Sequence, residues 1–184
     1  MMRALGGAAL AYGIHHVVWL ACVLGAARGF GTPAALLCVP LLAVQMVLDR
    51  HRISPLRWTL PVAALGAGMD SLLGLAGLID FHSTPWPSWM APPWLLAIWV
   101  VFAGAAPALM AWLKGRWLMC AALAAVGGPL AYSGGAALGA ATLPTPALTL
   151  AVMGVLWALL LPLLVARMPA TSAPALSQAR AGSR

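Results

Sequence analysis

The chain is short of acid. Among 184 residues there are three acidic side chains, Asp49, Asp70 and Asp80, and no glutamate. Asparagine is absent, and lysine occurs once, at Lys114. Charged residues make up 7% of the chain and hydrophobic residues 63%. A soluble domain carries roughly 25% charged residues, because its surface must face water. Small domains leave much of their surface wet, so a large core does not rescue a soluble reading. The shortage of charge excludes a water-soluble fold and makes lipid the solvent for most of the surface.

Cysteine is scarce as well, with Cys22, Cys38 and Cys120 all in or beside apolar runs. An odd count with no CxxC argues against a disulfide framework. These thiols read as small packing residues. The apolar runs offer too few ligands for a closed metal shell, so no metal and no cofactor is expected. HExxH, GxSxG, a Walker loop and an Asp-rich phosphotransferase motif are all missing, and the reading leans away from an enzyme. The net charge of +7 does not point to nucleic acid. That would need basic residues clustered on a folded face, whereas here they sit in short loops.

What is present is a series of apolar runs. Six are visible, roughly 5–26, 33–48, 58–79, 93–113, 118–140 and 147–166. Each approaches the ~20 residues that a membrane span requires. The expected fold is an all-α, polytopic bundle of six spans occupying residues 1–167. Residues 168–184 are rich in Ala, Ser, Pro and Arg and read as a disordered cytoplasmic tail. The first run follows Arg3, and "WLAC" at 19–22 hints at a lipoprotein cleavage site. Because His15 and His16 interrupt that run and more spans follow, it reads as a first helix that stays attached.

Orientation follows from the basic residues in the loops. Arg3, then Arg50, Arg52 and Arg57, then Lys114 and Arg116, then Arg167, Arg180 and Arg184 alternate onto one side, leaving only Arg28 on the other. Both termini are therefore expected in the cytoplasm. Trp58, Trp112 and Trp117 fall near the inner interface, and Trp86, Trp89 and Trp94 near the outer one, as amphipathic rings prefer. The longest outer loop, "DFHSTPWPSWMAPP", is expected to lie along the outer headgroups, with a lid over a site as the alternative. All three outer loops carry Thr-Pro, at Thr32, Thr84 and Thr145. At 32 and 145, helix N-capping by Thr with Pro behind it explains the pattern.

One carboxylate lies where it is most costly. "GAGMDSLLG" (66–74) places Asp70 about 15 Å from either end of its span at 1.5 Å per residue. An acidic side chain there costs ~2.5–3.5 kcal/mol on insertion scales, so Asp70 must face protein or water, or carry a proton. Gly66, Asp70, Gly74 and Gly77 share one helix face, and small residues there admit a second helix closely. Ser71 falls on the adjoining face. Asp70 reads either as a proton acceptor or ligand contact, or as a hydrogen-bonded tie within the bundle.

His15 and His16 lie at similar depth in the first run. Neighbours on a helix point about 100° apart, so at most one shares a site with Asp70. Such a pair suits a proton relay or a structural hydrogen bond. "GGPLAYSGG" (127–135) is read as a helix break at Gly127, Gly128 and Pro129, with Tyr132 and Ser133 as polar contacts. Broken helices mark substrate sites in many transporters, but close packing of a kinked helix is the favoured reading. These polar features fall on the first, third and fifth spans. One polar seam among the odd helices is the resulting expectation.

Five stretches carry a resemblance: "WLACVLGAA" (19–27), "MDSLLGLAGLIDF" (69–81), "PPWLLAIWVVFA" (92–103), "ALAAVGGPLAYSGGAALGA" (122–140) and "WALLLPLL" (157–164). In order and extent they resemble a bacterial inner-membrane family named domain of unknown function 2878. The resemblance implies a multi-pass inner-membrane protein without an assigned activity. The chain departs from the family pattern at His15 and His16, where amide side chains are usual. It departs again at Pro107, Ala108 and Leu109, where a polar Asn-His-Ser cluster is common. Three functions remain open. The leading one is a small carrier or binding protein for a lipid-like or apolar solute. The others are an intramembrane lipid-modifying enzyme or its accessory subunit, and a structural partner of another membrane protein.

Overall fold

The computed structural model describes residues 2–41, 43–44 and 55–169, with side chains from residue 9 in the first segment and 57 in the last. Among the described residues six helices follow one another. They are α1 (Met2–Ala27), α2 (Gly31–Leu37), α3 (Pro55–Leu75), α4 (Pro93–Met110), α5 (Trp117–Ala137) and α6 (Pro146–Arg167). A short 3-10 turn, Ala111–Leu113, extends α4. Two two-residue strands, β1 (Asp80–Phe81) and β2 (Ala141–Thr142), pair antiparallel across two loops.

Five of these helices are long and apolar enough to cross a bilayer: α1, α3, α4, α5 and α6. Their spanning segments are 19–22 residues, which at 1.5 Å per residue is about the thickness of the hydrocarbon layer. The second apolar run is described only as far as residue 44. Its helix α2 is seven residues long, and helical residues resume at 39–41 and 43–44. Pro40, lacking a backbone donor, follows a turn at Cys38. Residues 45–54, with Asp49, Arg50 and Arg52, lie outside the described residues, as does the expected disordered tail from 170 onward. The described residues thus hold five spans where the sequence pattern suggests six.

The outside of the bundle is as apolar as its inside. Leu118 is 88% exposed and Leu72 68%, while the buried polar side chains are Thr59, Asp70 and Thr149. A protein in water inverts that arrangement; one in lipid does not. Contact between helices then depends on close packing and hydrogen bonds rather than on expelling water.

The helices form two groups. In one, α1 packs along α4, α3 packs on α4, and short α2 wedges against α1 and α4. Cys22 of α1 and Cys38 at the end of α2 are both buried free thiols. In the other, α5 and α6 form a tight hairpin. Extended loops join the groups on one side. Phe81 N–H donates to Ser88, His82 N–H donates to Ala140, and β1 pairs with β2. A carbonyl can only accept, so His82 Nδ1 donates to Gly139 O at 2.9 Å. Its Nε2 then faces Thr142 Oγ1, also at 2.9 Å. Thr149 of α6, fully buried, donates to the Leu78 carbonyl at 2.8 Å.

The long loop at 80–93 is tied to the bundle, with Ala91 N–H donating to Ser71 Oγ of α3 and Trp94 Nε1 of α4 donating to His82 O. Thr145 occupies an N-cap position with Pro146 behind it, but its side chain makes no capping bond. Thr32 lies inside α2, whose first N–H is bound instead by Ser83 Oγ at 2.7 Å.

Candidate functional site

Asp70 sits at the junction of three helices. It is fully buried on α3. Its Oδ2 accepts from Trp99 Nε1 of α4 at 2.6 Å, and its Oδ1 accepts from Tyr132 Oη of α5 at 2.5 Å. Each oxygen thus has a neutral donor, the condition for keeping a carboxyl group inside lipid. The Trp99 bond lies within the first helix group. The Tyr132 bond crosses to the α5–α6 hairpin.

The glycine face of α3 explains the geometry. A Cβ on Gly66 would fall on the ring of Trp99, so Gly66 makes room for the indole whose N–H reaches Asp70 one turn later. A Cβ on Gly74 would fall on the backbone of Trp89. The shared-face expectation therefore holds for Gly66, Asp70 and Gly74. Gly77 is different. It lies past the end of α3 with φ +70°, in a turn where Leu78 N–H returns to Leu73 O.

Between the two helix groups lies a cavity of about 540 Å³. Trp99 and Tyr132 line it, together with His15, Phe102 and Trp157. Trp99 stacks on Trp157 of α6 with ring centroids 5.4 Å apart and planes 6° apart, and Phe102 stands edge-on to both. The wall is thus rich in aromatic rings, with aliphatic side chains between them. Volume and lining fit the range of small-molecule sites, about 300–1,000 Å³ and mainly apolar with few polar groups. Two polar atoms on lining residues, His15 Nδ1 and Trp157 Nε1, are buried without a hydrogen-bond partner. Such groups are uncommon and costly.

The six polar residues singled out in the sequence separate into three sets. Asp70 and Tyr132 meet. His15 faces the cavity, its ring 6.2 Å from Phe102, and no described hydrogen bond joins it to Asp70. The other three turn away. His16 is exposed and its Nδ1 lies 2.9 Å from Tyr12 O on its own helix. Ser133 donates to Leu130 O one turn back. Ser71 donates to Ala67 O and accepts from the N–H of Ala91, so it anchors the outer loop. Among the described residues no three His, Cys, Asp or Glu side chains come together as a metal site.

The expected helix break is corrected. Helix α5 runs without interruption from Trp117 to Ala137, with Pro129 inside it. A missing backbone donor is tolerated here because lipid offers the chain nothing better than helical bonds. Of its glycines, Gly128 has a packing role instead. A Cβ on Gly128 would strike the Trp157 ring, whereas one on Gly127 or Gly135 would meet nothing within 4 Å. Gly135 is buried and lines the cavity, so its open side is cavity space.

Sequence reasoning missed the even helices. Trp99 and Trp157 supply the second donor and the aromatic wall, yet a tryptophan in an apolar run gives no sign of polar work. The available signal was the Gly66–Asp70 spacing, which leaves one ring-sized gap beside one acceptor.

The family model described as "Protein of unknown function (DUF2878)" matches residues 9–163, and the chain belongs to that family. No curated protein and no solved structure matches it.

Proposed function

We propose that this member of a family without an assigned activity binds, and in doing so carries, a lipid-like or apolar solute in the cavity between its two helix groups. The observation that carries the reading is the cavity itself. It is about 540 Å³, apolar, and placed at the boundary of two packing units rather than within one. A site at such a boundary can admit and release a solute when the two groups separate slightly, as carriers require. The Asp70–Tyr132 bond is the polar tie across that boundary at mid-depth. We assign the protein to the bacterial inner membrane, with both termini cytoplasmic, on the one-sided distribution of its basic loops.

The enzyme reading has less support. Ser71 and Ser133 are engaged with backbone carbonyls of their own helices, so neither is set up as a nucleophile beside a base. A role as structural partner rests on the apolar exterior alone, which lipid already explains.

The test is equilibrium binding of an apolar fluorescent probe, pyrene, to the purified protein in detergent. Ala131→Trp places an indole on the cavity wall; Leu130→Trp places one on an exposed position outside it. Saturable binding that falls at least tenfold in Ala131→Trp and stays level in Leu130→Trp is the expected result. Equal binding in both variants would refute the cavity as the site.

A further inference from the structure

The cavity is long. Trp94 and Leu113 both line it, from the start of α4 to the end of the turn that extends it. The nineteen helical steps between them, at about 1.5 Å each, make that distance about 28 Å, close to the ~30 Å of a hydrocarbon layer. A compact space of about 540 Å³ would be only about 10 Å across, so a cavity lined over about 28 Å is an elongated slot.

Its two ends differ. At the outer end, Ile79 and Phe81 are 1% and 3% exposed and close the slot beneath the paired loops. At the other end Trp112 lines the slot and is 54% exposed, two and four residues before Lys114 and Arg116. One side is open as well. Helices α1 and α5 approach near their outer ends, where a Cβ on Gly134 or Gly139 would meet Trp19 or Ala27. Further in, Tyr12 of α1 and Leu123 of α5 both line the slot and are 55% and 50% exposed.

From this shape we propose that the slot takes a single extended acyl chain. The chain enters from the lipid between Tyr12 and Leu123, with its methyl end toward Phe81 and its polar end at the Trp112–Lys114 interface. The proposal rests on the binding reading above and narrows it to one ligand class. The chain comes either from a free fatty acid or from one arm of a diacyl phospholipid. A compact polycyclic solute would leave most of the slot empty. Dispersion contact along the wall, not expulsion of water, supplies the selectivity, because the competing medium is equally apolar.

The experiment is native mass spectrometry of the purified protein in detergent with saturated fatty acids of 8 to 24 carbons. Stearic acid is also competed against dipalmitoyl phosphatidylcholine and against pyrene. With carbon–carbon bonds of about 1.5 Å, an extended chain advances about 1.25 Å per carbon, so the slot accommodates roughly 20 carbons. Expected is one acid per protein, with occupancy rising to about 18–20 carbons and then levelling. Gly135→Leu fills space near the closed outer end, where a new side chain meets nothing. It should lower the longest well-bound acid by about four carbons while leaving shorter acids bound as in the wild type. That length shift would not arise from a merely destabilised protein.

Displacement of stearate by the phospholipid identifies a phospholipid arm as the source, and its absence identifies a free acid; both support the single-chain slot. Two acids per protein, or binding without a length limit, overturn it. Pyrene binding without any acid binding overturns the chain proposal and leaves the apolar-solute reading standing. Binding of none of the probes overturns both.

Discussion

Tyr132→Phe removes one oxygen atom and isolates the tie between the helix groups. Asp70 Oδ1 loses its donor while fully buried, and Trp99 still donates to Oδ2. Hydrogen bonds between helices in bilayers average about 0.6 kcal/mol and reach about 1.7. A buried acceptor left unsatisfied costs about 1–3 kcal/mol. The Asp70 site lies at the upper part of that range, since its oxygens have one donor each, so a loss of about 2 kcal/mol is expected. For a chain of this size that is about 4–8 °C in Tm. Asp70→Asn should behave differently. Its carbonyl oxygen can accept from Trp99, and its amide can donate to a Tyr132 hydroxyl turned to accept, so stability should stay within about 1 kcal/mol of the wild type.

The assay is reversible unfolding in mixed micelles on wild type, Tyr132→Phe, Asp70→Asn and Asp70→Leu. Asp70→Leu leaves both donors unpaired but also removes a buried carboxyl group. If Tyr132→Phe is as stable as the wild type and Asp70→Leu is more stable, Asp70 does not tie the helix groups together. The carboxyl group would then be kept against stability, as replacement of buried polar groups by apolar ones can reveal.

Other positions give independent checks. Gly66→Leu should destabilise strongly, by about 1–3 kcal/mol or more, because its side chain meets the Trp99 ring; unfolding of the purified variant measures it. Thr149→Val deletes the bond to the Leu78 carbonyl and should cost about 1–2 kcal/mol by the same assay, an effect additive with Tyr132→Phe if the two ties are independent. Gly77→Ala forces a side chain into φ +70° and should lose about 1 kcal/mol, whereas Gly127→Ala, with open space at its Cβ, should be neutral or slightly stabilising. Reporter fusions at each terminus should both report a cytoplasmic location, and opposite locations would mean an odd number of spans.

The sequence by itself determined the class of molecule. Runs of apolar residues in a chain so poor in charge permit only helices in lipid, because each backbone group must find its partner within the same segment. The Gly66–Asp70–Gly74 spacing likewise showed that α3 presents a narrow face with one polar atom on it. The second run is described only as far as residue 44, and a proline two residues after a turn interrupts its first helical turns. The glycines and proline of 127–135 carry no sign that distinguishes a break from close packing. Only tertiary structure decided which donors meet Asp70. Serines and histidines are visible as polar in a sequence, yet Ser71, Ser133 and His16 satisfy themselves on nearby backbone. Trp99, counted as apolar, supplies the N–H. Whether a polar group joins a site depends on the direction of its side chain and on what lies opposite, and in a helix bundle both come from residues far apart along the chain.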